Sequence, residues 1–191
     1  MNHQALLDSI ISISQKAGSK ILRIYNLDKF SDSIEFKDDN SPLTIADKAS
    51  NDIIINELKE LDSTIPILSE EGKDISYSTR KNWGKFWLVD PLDGTKEFIK
   101  RNGEFTVNIA LIENNSPVMG IVHAPVLNTT WYGLEDLGSF ILKDGRFEKI
   151  KINQLGQSKI KVVSSRSHGN NPKLKEYLKQ FPDYELIKMG S

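Results

Sequence analysis

The chain has 191 residues, with 25 lysines and arginines against 26 aspartates and glutamates and a formal charge of −1. A balance this close to neutral lacks the basic surface that DNA, RNA or an anionic membrane requires, so no nucleic acid partner is expected. Apolar residues at 38% and charged residues at 27% are ordinary for a globular protein. The absence of cysteine excludes disulfides, thiolate metal sites and a cysteine nucleophile, and it favours a reducing, cytoplasmic setting.

Apolar spacing predicts two helices in the first third of the chain. From Leu6 to Tyr25 the apolar side chains recur mostly at three- and four-residue steps, which is typical of an amphipathic helix. The polar stretch from Asp28 to Asn40 predicts a loop or hairpin, and a second helix is expected from Thr44 to about Leu61. No basic leader precedes the first helix and no apolar run reaches membrane-spanning length, so no membrane span is expected.

Short apolar runs bounded by turn residues predict a sheet in the middle of the chain. Ile65 to Leu68 and Phe86 to Val89 suit buried strands, and acidic residues follow each of them. A hairpin and two further strands are expected as a meander, over residues 105–113, 117–123, 129–132 and 139–142. The pattern then changes to strand, helix and strand over 159–163, 172–180 and 184–189. We therefore predict an α+β metal- and phosphate-binding domain over 1–155 and the start of an incomplete α/β domain over 156–191.

The segment from Asp90 to Thr95 carries the strongest chemical signal. A predicted strand delivers Asp90 at its end, Pro91 is expected to force a turn, and Asp93 follows directly before Gly94-Thr95 and a short helical pattern. Two close carboxylates repel each other unless a divalent cation neutralises them, and an oxygen-only ligand set favours Mg²⁺. A helix that begins at Gly94-Thr95 points free N–H groups at the same place, which suits a phosphate.

Each part of this signal has a structural alternative. Asp93-Gly94 is compatible with a simple turn and Asp90 with a helix cap. Glu70 ends another predicted strand and could reach the same pocket, yet Glu70-Glu71-Gly72 is also compatible with a solvated turn. Thr44 and Asp47 have the spacing of a capping box, which needs no function. The signals gain weight because they occur together.

Three segments together resemble the successive motifs of the inositol monophosphatase superfamily of Mg²⁺-dependent phosphatases. They are Ser41 to Asp47, Leu68 to Gly72 and Trp87 to Phe98. The continuation from Lys96 to Ile112, and later Val163 to His168, is similar to the CysQ-type 3'(2'),5'-bisphosphate nucleotidase branch. The resemblance implies an α+β fold, a layered α/β sandwich with an N-terminal α+β domain followed by the start of a C-terminal α/β domain.

The resemblance also implies a role for each matching position. Metal would be bound by Glu70, Asp90, Asp93 and the Leu92 carbonyl, while Asp47 and Thr95, with Glu70, would form the catalytic set that orients and deprotonates the attacking water. The N–H groups of Gly94 and Thr95, together with Lys37, would hold the phosphate, and Arg166 and His168 would bind the nucleotide. Lys37 is also compatible with a solvated lysine, and Arg166 and His168 with a serine-rich loop.

The implied reaction is hydrolysis of the 3'-phosphate of adenosine 3',5'-bisphosphate to AMP and phosphate by a metal-activated water, a step of sulfur metabolism without a covalent phosphoenzyme. Three alternatives stay open, of which the first two are an inositol monophosphatase or fructose 1,6-bisphosphatase activity, and a non-catalytic truncated module that binds metal or nucleotide. A purely structural domain whose acidic loops are only turns is the third. A homodimer is the expected assembly if the protein associates.

The sequence departs from the family pattern in its last part. It stops at Ser191, and no Trp-Asp pair occurs in it. The resemblance implies that members continue through further strands and helices, and that the aspartate of a Trp-Asp motif completes a second metal site. We therefore expect a fragment or a shortened chain, whose visible ligands complete one metal site and leave the other without a carboxylate.

Overall fold

The computed structural model describes residues 3–27, 34–36, 42–152, 159–166, 172–181 and 183–190. The helices are α1 (His3–Tyr25), α2 (Ile45–Leu61), α3 (Tyr77–Arg80), α4 (Thr95–Ile99) and α5 (Pro172–Leu178). The strands are β1 (Ile34–Phe36), β2 (Pro42–Thr44), β3 (Ile67–Ser69), β4 (Lys85–Asp93), β5 (Thr106–Glu113), β6 (Ser116–Ala124), β7 (Thr129–Leu134), β8 (Gly138–Lys143), β9 (Arg146–Lys149), β10 (Ile160–Ser165) and β11 (Tyr184–Met189). Contacts divide the chain into two compact units, Met1–Ile150 and Lys151–Ser191, which we describe separately.

The first unit is built on a seven-stranded sheet in the order β3-β4-β5-β6-β7-β8-β9. β3 runs parallel to β4, and each later pair is antiparallel, so the predicted meander is confirmed. Asn114 and Asn115 connect β5 to β6 with positive φ angles of 49° and 64°. Two-residue hairpin turns need such angles, and asparagine tolerates them, which explains why this dipeptide marks the turn.

Helices α1 and α2 cover one face of this sheet, and both were predicted. The side chains of β4 alternate accordingly: Trp87 and Val89 are 1% and 2% exposed, whereas Leu88 between them is 45% exposed. On the helices, apolar side chains such as Ile10, Ile21 and Ile54 are fully buried. The core therefore lies between the helices and this face, and the strands carry a second set of side chains on the opposite face.

Close contact between α1 and β6 depends on Gly18. A Cβ atom at this position would stand 2.6 Å from Cδ2 of His123, so a larger residue would push the helix off the sheet. His123 is 3% exposed and its Nδ1 lies 2.9 Å from Oγ1 of Thr130. Burial lowers the pKa of His123 to about 4, so the ring is neutral at physiological pH and belongs to the packing of the sheet.

The path of β4 differs from the sequence prediction. We expected a turn at Pro91, and this was wrong, because β4 continues to Asp93. Its pairing with β5 is irregular instead: the register shifts between Asp90, which faces Asn108, and Asp93, which faces Thr106. A proline has no N–H to donate and is accommodated where a bulge already interrupts the ladder. The sequence prediction also missed α3 and β9.

The second unit contains β10 and β11, which are parallel, with α5 between them in sequence. Parallel neighbours require a crossover connection, which explains the strand, helix and strand pattern that was predicted here. The predicted domain boundary at residue 155 falls among residues 153–158, outside the described residues, and stays a prediction. In the first unit, β1 lies in the stretch predicted as a loop or hairpin and pairs with β2, which directly precedes α2. Of the helices in the described ranges, none is long and apolar enough to span a membrane.

Candidate active site

The parallel pair β3 and β4 brings two acidic residues to the same edge of the sheet. Ser69, the last residue of β3, pairs with Val89, and the N–H of Glu70 donates to the Val89 carbonyl at 3.0 Å. Glu70 stands in an exposed turn that closes when Gly72 N donates to the Ser69 carbonyl at 3.1 Å. Glu70 is thereby held next to Asp90, the residue that follows Val89.

Asp90 is partly buried and surrounded by negative charge. Burial, the largest cause, and the neighbouring carboxyl groups of Glu70 and Asp93 together raise its pKa from the ordinary 3.8 to about 7. Its Oδ1 atom is buried and has no hydrogen-bond partner in the described part of the chain. A buried carboxylate oxygen without a donor, next to two further acids, is an environment that a cation would stabilise.

The residues around Asp90 fit a hard divalent cation by their chemistry. Asn108, the partner of Asp90 on β5, also has a buried Oδ1 without a hydrogen bond, so two oxygen acceptors here lack a donor. Carboxylate and amide oxygens are the ligands that Mg²⁺ prefers. Within the described ranges, however, no three or more His, Cys, Asp or Glu side chains are gathered as a metal-binding group. The joint ligation of a cation by Glu70, Asp90 and Asp93 therefore stays a prediction.

Gly94 connects the end of β4 to α4. Its φ of 96° and ψ of 36° lie in the left-handed region, which glycine adopts without strain. Its carbonyl accepts the N–H of Phe98 at 2.9 Å, the first turn of α4. The hydroxyl of Thr95, the first residue of α4, lies 3.4 Å from the carbonyl of the buried Leu92. The tight bend thus keeps Asp93, Gly94 and Thr95 at one corner of the unit.

The start of α2 supplies a buried carboxylate to this corner. Oδ2 of Asp47 accepts the N–H and the hydroxyl of Thr44, at 2.8 Å and 2.5 Å, and the Thr44 hydroxyl in turn accepts the N–H of Ala46. This is the capping box that the sequence predicted. The other oxygen, Oδ1, accepts the hydroxyl of Thr95 at 3.1 Å. The structural reading of Asp47 therefore holds, and Asp47 also contacts a candidate site residue.

The pKa of Asp47 is raised above its ordinary value. Burial is the main cause, since the residue is 1% exposed, and the hydrogen bonds from Thr44 and Thr95 partly oppose it. A carboxylate with a raised pKa is a stronger base than one in water, and Thr95 is the group through which it can act on a substrate or a water molecule.

Aromatic packing fixes the position of α4. The ring of Phe98 packs 5.2 Å from that of Tyr25 in α1 and 5.3 Å from that of Phe105. The guanidinium of Arg101 lies 4.9 Å from the centre of the Tyr25 ring. Such contacts hold a short helix that could not form alone, and they keep the Thr95 hydroxyl at its place beside Asp47.

Three polar residues near the site were missed from the sequence. Ser50 donates to the Pro91 carbonyl at 2.7 Å, and Asn51 accepts the Ser69 hydroxyl at 2.7 Å. Ser50 and Asn51 follow Asp47 by three and four residues, which places all three on the same face of α2. This spacing was visible in the sequence and could have identified them. The third residue, Asn108, is the polar position inside the apolar run of β5, which was a signal of the same kind.

A cavity of about 540 Å³ opens on the sheet face that α1 and α2 leave uncovered. Glu70, Asp90 and Asn108 line it together with apolar side chains such as Leu88 and Val122. The structure thus brings Glu70 and Asp90 to one cavity, and Asp47 and Thr95 into direct contact. Lys37 and His168 lie outside the described residues. Arg166 belongs to the second unit, where it is exposed and its N–H donates to the Met189 carbonyl at 2.8 Å.

Comparison with known proteins agrees with this fold. The model of the inositol monophosphatase family matches residues 2–191. The 3'(2'),5'-bisphosphate nucleotidase CysQ of Escherichia coli K12 is 41% identical over 192 aligned positions, and the match covers 97% of this chain and 73% of that protein. The crystal structure of CysQ from Bacteroides thetaiotaomicron, a bacterial member of that family, superposes with a TM-score of 0.82 at 39% identity, covering 100% of this chain and 74% of the other. A Thermotoga maritima IMPase has the same fold, with a TM-score of 0.78 at 23% identity, covering 98% of this chain and 69% of that one.

Proposed function

This chain belongs to the inositol monophosphatase family, and we propose from that membership and from the site that it is a 3'(2'),5'-bisphosphate nucleotidase, a metal-dependent phosphomonoesterase. The specific reaction is removal of the 3'-phosphate from adenosine 3',5'-bisphosphate, which yields AMP and phosphate. The nucleotidases that it matches at 41% identity support this substrate class. The chain spans about three quarters of their length, 73% for each.

One observation carries the proposal: a buried carboxylate, Asp47, accepts the hydroxyl of Thr95 at 3.1 Å, next to the strand end where Glu70 and Asp93 act on Asp90. A carboxylate base that contacts a hydroxyl group, beside acidic residues that attract a cation, suits hydrolysis by an activated water. An isolated helix cap would explain the contacts between Asp47 and Thr44 but not the contact with Thr95.

Mg²⁺ is the proposed metal, held by Glu70, Asp90, Asp93 and the carbonyl oxygen of Leu92. These are oxygen ligands, the set that suits this ion. When bound, the ion supplies positive charge that neutralises the phosphate and lowers the pKa of a water. The unpaired Oδ1 of Asp90 supports its part in this set.

Asp47 and Thr95 act on the attacking water. Because the Thr95 hydroxyl donates to Asp47, its oxygen lone pairs are free to accept a proton from a water molecule. As the water oxygen attacks phosphorus, Thr95 takes that proton and passes its own to Asp47, whose raised pKa makes it a receptive base. The bond between phosphorus and the ribose 3'-oxygen breaks, and this oxygen leaves as a hydroxyl after it takes up a proton from solvent.

The main-chain N–H groups of Gly94 and Thr95 hold the phosphate in this proposal. They belong to the first turn of α4, where N–H groups have no partner within the helix. Lys37 adds a positive charge to the same phosphate, and Arg166 and His168 bind the rest of the nucleotide. A cytoplasmic location and a homodimer stay predictions.

Phosphate release from a panel of substrates tests this function. The intact protein that contains these residues is assayed with and without Mg²⁺ on adenosine 3',5'-bisphosphate, inositol monophosphate and fructose 1,6-bisphosphate. We expect Mg²⁺-dependent release that is fastest from the nucleotide. Faster release from inositol monophosphate would contradict the nucleotidase assignment alone. Binding of nucleotide with Mg²⁺ but no release from any substrate would favour a non-catalytic module.

A further inference from the structure

One face of α2 contacts three chain segments that carry candidate site residues. Asp47, Ser50 and Asn51 follow one another at helical spacing, so their side chains point in similar directions. Asp47 accepts the Thr95 hydroxyl, Ser50 donates to the Pro91 carbonyl, and Asn51 accepts the Ser69 hydroxyl. The helix is therefore joined to the start of α4, to the bulge of β4 and to the end of β3.

The contact of Ser50 fills a gap that the bulge leaves. Pro91 lies between Asp90 and Leu92, where the register of β4 against β5 shifts and the ladder is interrupted. A buried carbonyl in such a place needs another donor. Ser50 is fully buried, with 0% exposure, and its hydroxyl provides that donor at 2.7 Å. The path of the backbone at the bulge, and with it the position of Asp90, therefore depends on this hydrogen bond from α2.

The contact of Asn51 acts on the residue before Glu70. The Ser69 hydroxyl donates to Oδ1 of Asn51 at 2.7 Å, and the N–H of Glu70 donates to Val89 at 3.0 Å. Two successive residues are thereby tied to different elements, Ser69 to α2 and Glu70 to β4. The backbone that bears the exposed Glu70 side chain is therefore held by both α2 and β4.

We propose that Ser50 and Asn51 are positioning residues, which fix the backbone of β4 and β3 so that Asp90 and Glu70 can share one divalent cation. This inference rests on the proposed function of these two carboxylates as metal ligands. α2 does not need either side chain to form, since its apolar side chains Ala46, Ile54 and Leu58 are fully buried and serine and asparagine are weaker helix formers than alanine. We therefore assign the Ser50 and Asn51 side chains to the contacts with β4 and β3.

Calorimetric titration of the metal-free protein with Mg²⁺ tests the role of Asn51. We expect Asn51→Ala to raise the Mg²⁺ dissociation constant about tenfold, as loss of a group that orients a metal ligand commonly does. Its melting temperature without Mg²⁺ should stay near that of the wild type. Asn56→Ala is the matched control, because Asn56 is exposed on the same helix and outside the site, and it should leave the dissociation constant unchanged.

The partner of Asn51 gives a second test of the same bond. Ser69→Ala should weaken Mg²⁺ binding as much as Asn51→Ala does, the double variant should be no weaker than either, and Ser69→Thr should restore binding because it keeps the hydroxyl. Ser69→Ala also replaces Asn51→Ala if that variant does not fold. If the wild type binds Mg²⁺ and both single variants bind it with the same affinity, this inference is overturned but the proposed function is not. A wild type that binds no Mg²⁺ would overturn the proposed function as well.

Discussion

Two acidic regions of the first unit differ in how many hydrogen bonds their carboxylates accept. At the start of α2, both oxygens of Asp47 accept hydrogen bonds, from Thr44 on one side and Thr95 on the other. At the end of β4, Oδ1 of Asp90 has no partner in the described residues, and the nearest charges are those of Glu70 and Asp93. Burial raises the pKa of both groups, but hydrogen bonds oppose it chiefly at Asp47.

This difference separates the two chemical tasks of the proposed enzyme. A carboxylate that is already held by donors has a fixed orientation and can exchange a proton through one of them, as Asp47 can through Thr95. A carboxylate with an unpaired oxygen among other acids gains most from a cation. The comparison predicts that variants at Asp90 change metal binding, whereas variants at Asp47 and Thr95 change turnover.

Asp90→Asn should have the largest effect. We expect activity to fall by several orders of magnitude, because the variant weakens binding of the cation on which water activation depends. Mg²⁺ should raise the melting temperature of the wild type but scarcely that of the variant, since a ligand stabilises the folded state only when it binds. Loss of folding in the variant would instead indicate a structural role for Asp90.

The same variant should be no less stable than the wild type when Mg²⁺ is removed by a chelator. The folded-state pKa of Asp90, about 7, lies above its ordinary 3.8, so the wild type loses stability as the pH rises from about 4 to about 7. The melting-temperature advantage of Asp90→Asn should grow over this range and be complete above it. An advantage that shrinks with rising pH would contradict the assigned cause of the shift.

Asp47→Asn should reduce turnover by about 10²- to 10⁴-fold, the usual contribution of a general base. The Mg²⁺ dissociation constant should stay near that of the wild type. The capping box is weakened at the same time, so the free energy of unfolding should fall by about 1 kcal/mol. Kinetics, calorimetry and thermal unfolding measure the three effects. A loss of Mg²⁺ affinity as large as the loss of turnover would remove the distinction between Asp47 and Asp90.

Thr95→Ala should act on turnover in the same direction but less strongly. A hydrogen bond to a charged group contributes about 1.5–3 kcal/mol, which corresponds to about a 10- to 150-fold fall in kcat. Because Thr95 orients the water mainly in the transition state, Mg²⁺ affinity should change little. Should Mg²⁺ affinity fall while kcat at saturating Mg²⁺ stays unchanged, Thr95 would be assigned to the metal instead.

Asn108→Ala should have the smallest effect. A neutral amide attracts a cation less than a carboxylate does, so we expect the Mg²⁺ dissociation constant to rise by less than about tenfold. Since Oδ1 of Asn108 has no partner in the described residues, its removal should change the metal-free stability by less than about 1 kcal/mol. Strong destabilisation without Mg²⁺ would reveal a hydrogen bond from this amide to Asp90.

Most of the fold could be predicted because local sequence patterns indicate its helices and strands. Helical periodicity marked α1 and α2, and alternating runs with asparagine turns marked β5 and β6. The course of β4 could not be predicted, since proline usually ends a strand and only the pairing with β5 shows that a bulge accommodates Pro91. β9 was missed because its charged, exposed sequence lacks an apolar signal.

The site could be predicted as a set of motifs but not as a set of contacts. The contact between Asp47 and Thr95 joins residues 48 positions apart, and no local pattern specifies it. Ser50, Asn51 and Asn108 carry ordinary polar side chains, whose importance appears only when the sheet places their partners. Long-range packing, rather than propensity, determines these positions.

The location of the cation tests the account most directly. Crystals of the intact protein soaked with Mn²⁺, a hard cation that replaces Mg²⁺ and scatters anomalously, would show where the ion binds. We predict an anomalous peak within coordinating distance of a carboxylate oxygen of Asp90, with Glu70 and Asp93 as neighbours and none at Asp47. The absence of a peak at Asp90, or a peak bound by Asp47 instead, would contradict the division between the two carboxylates.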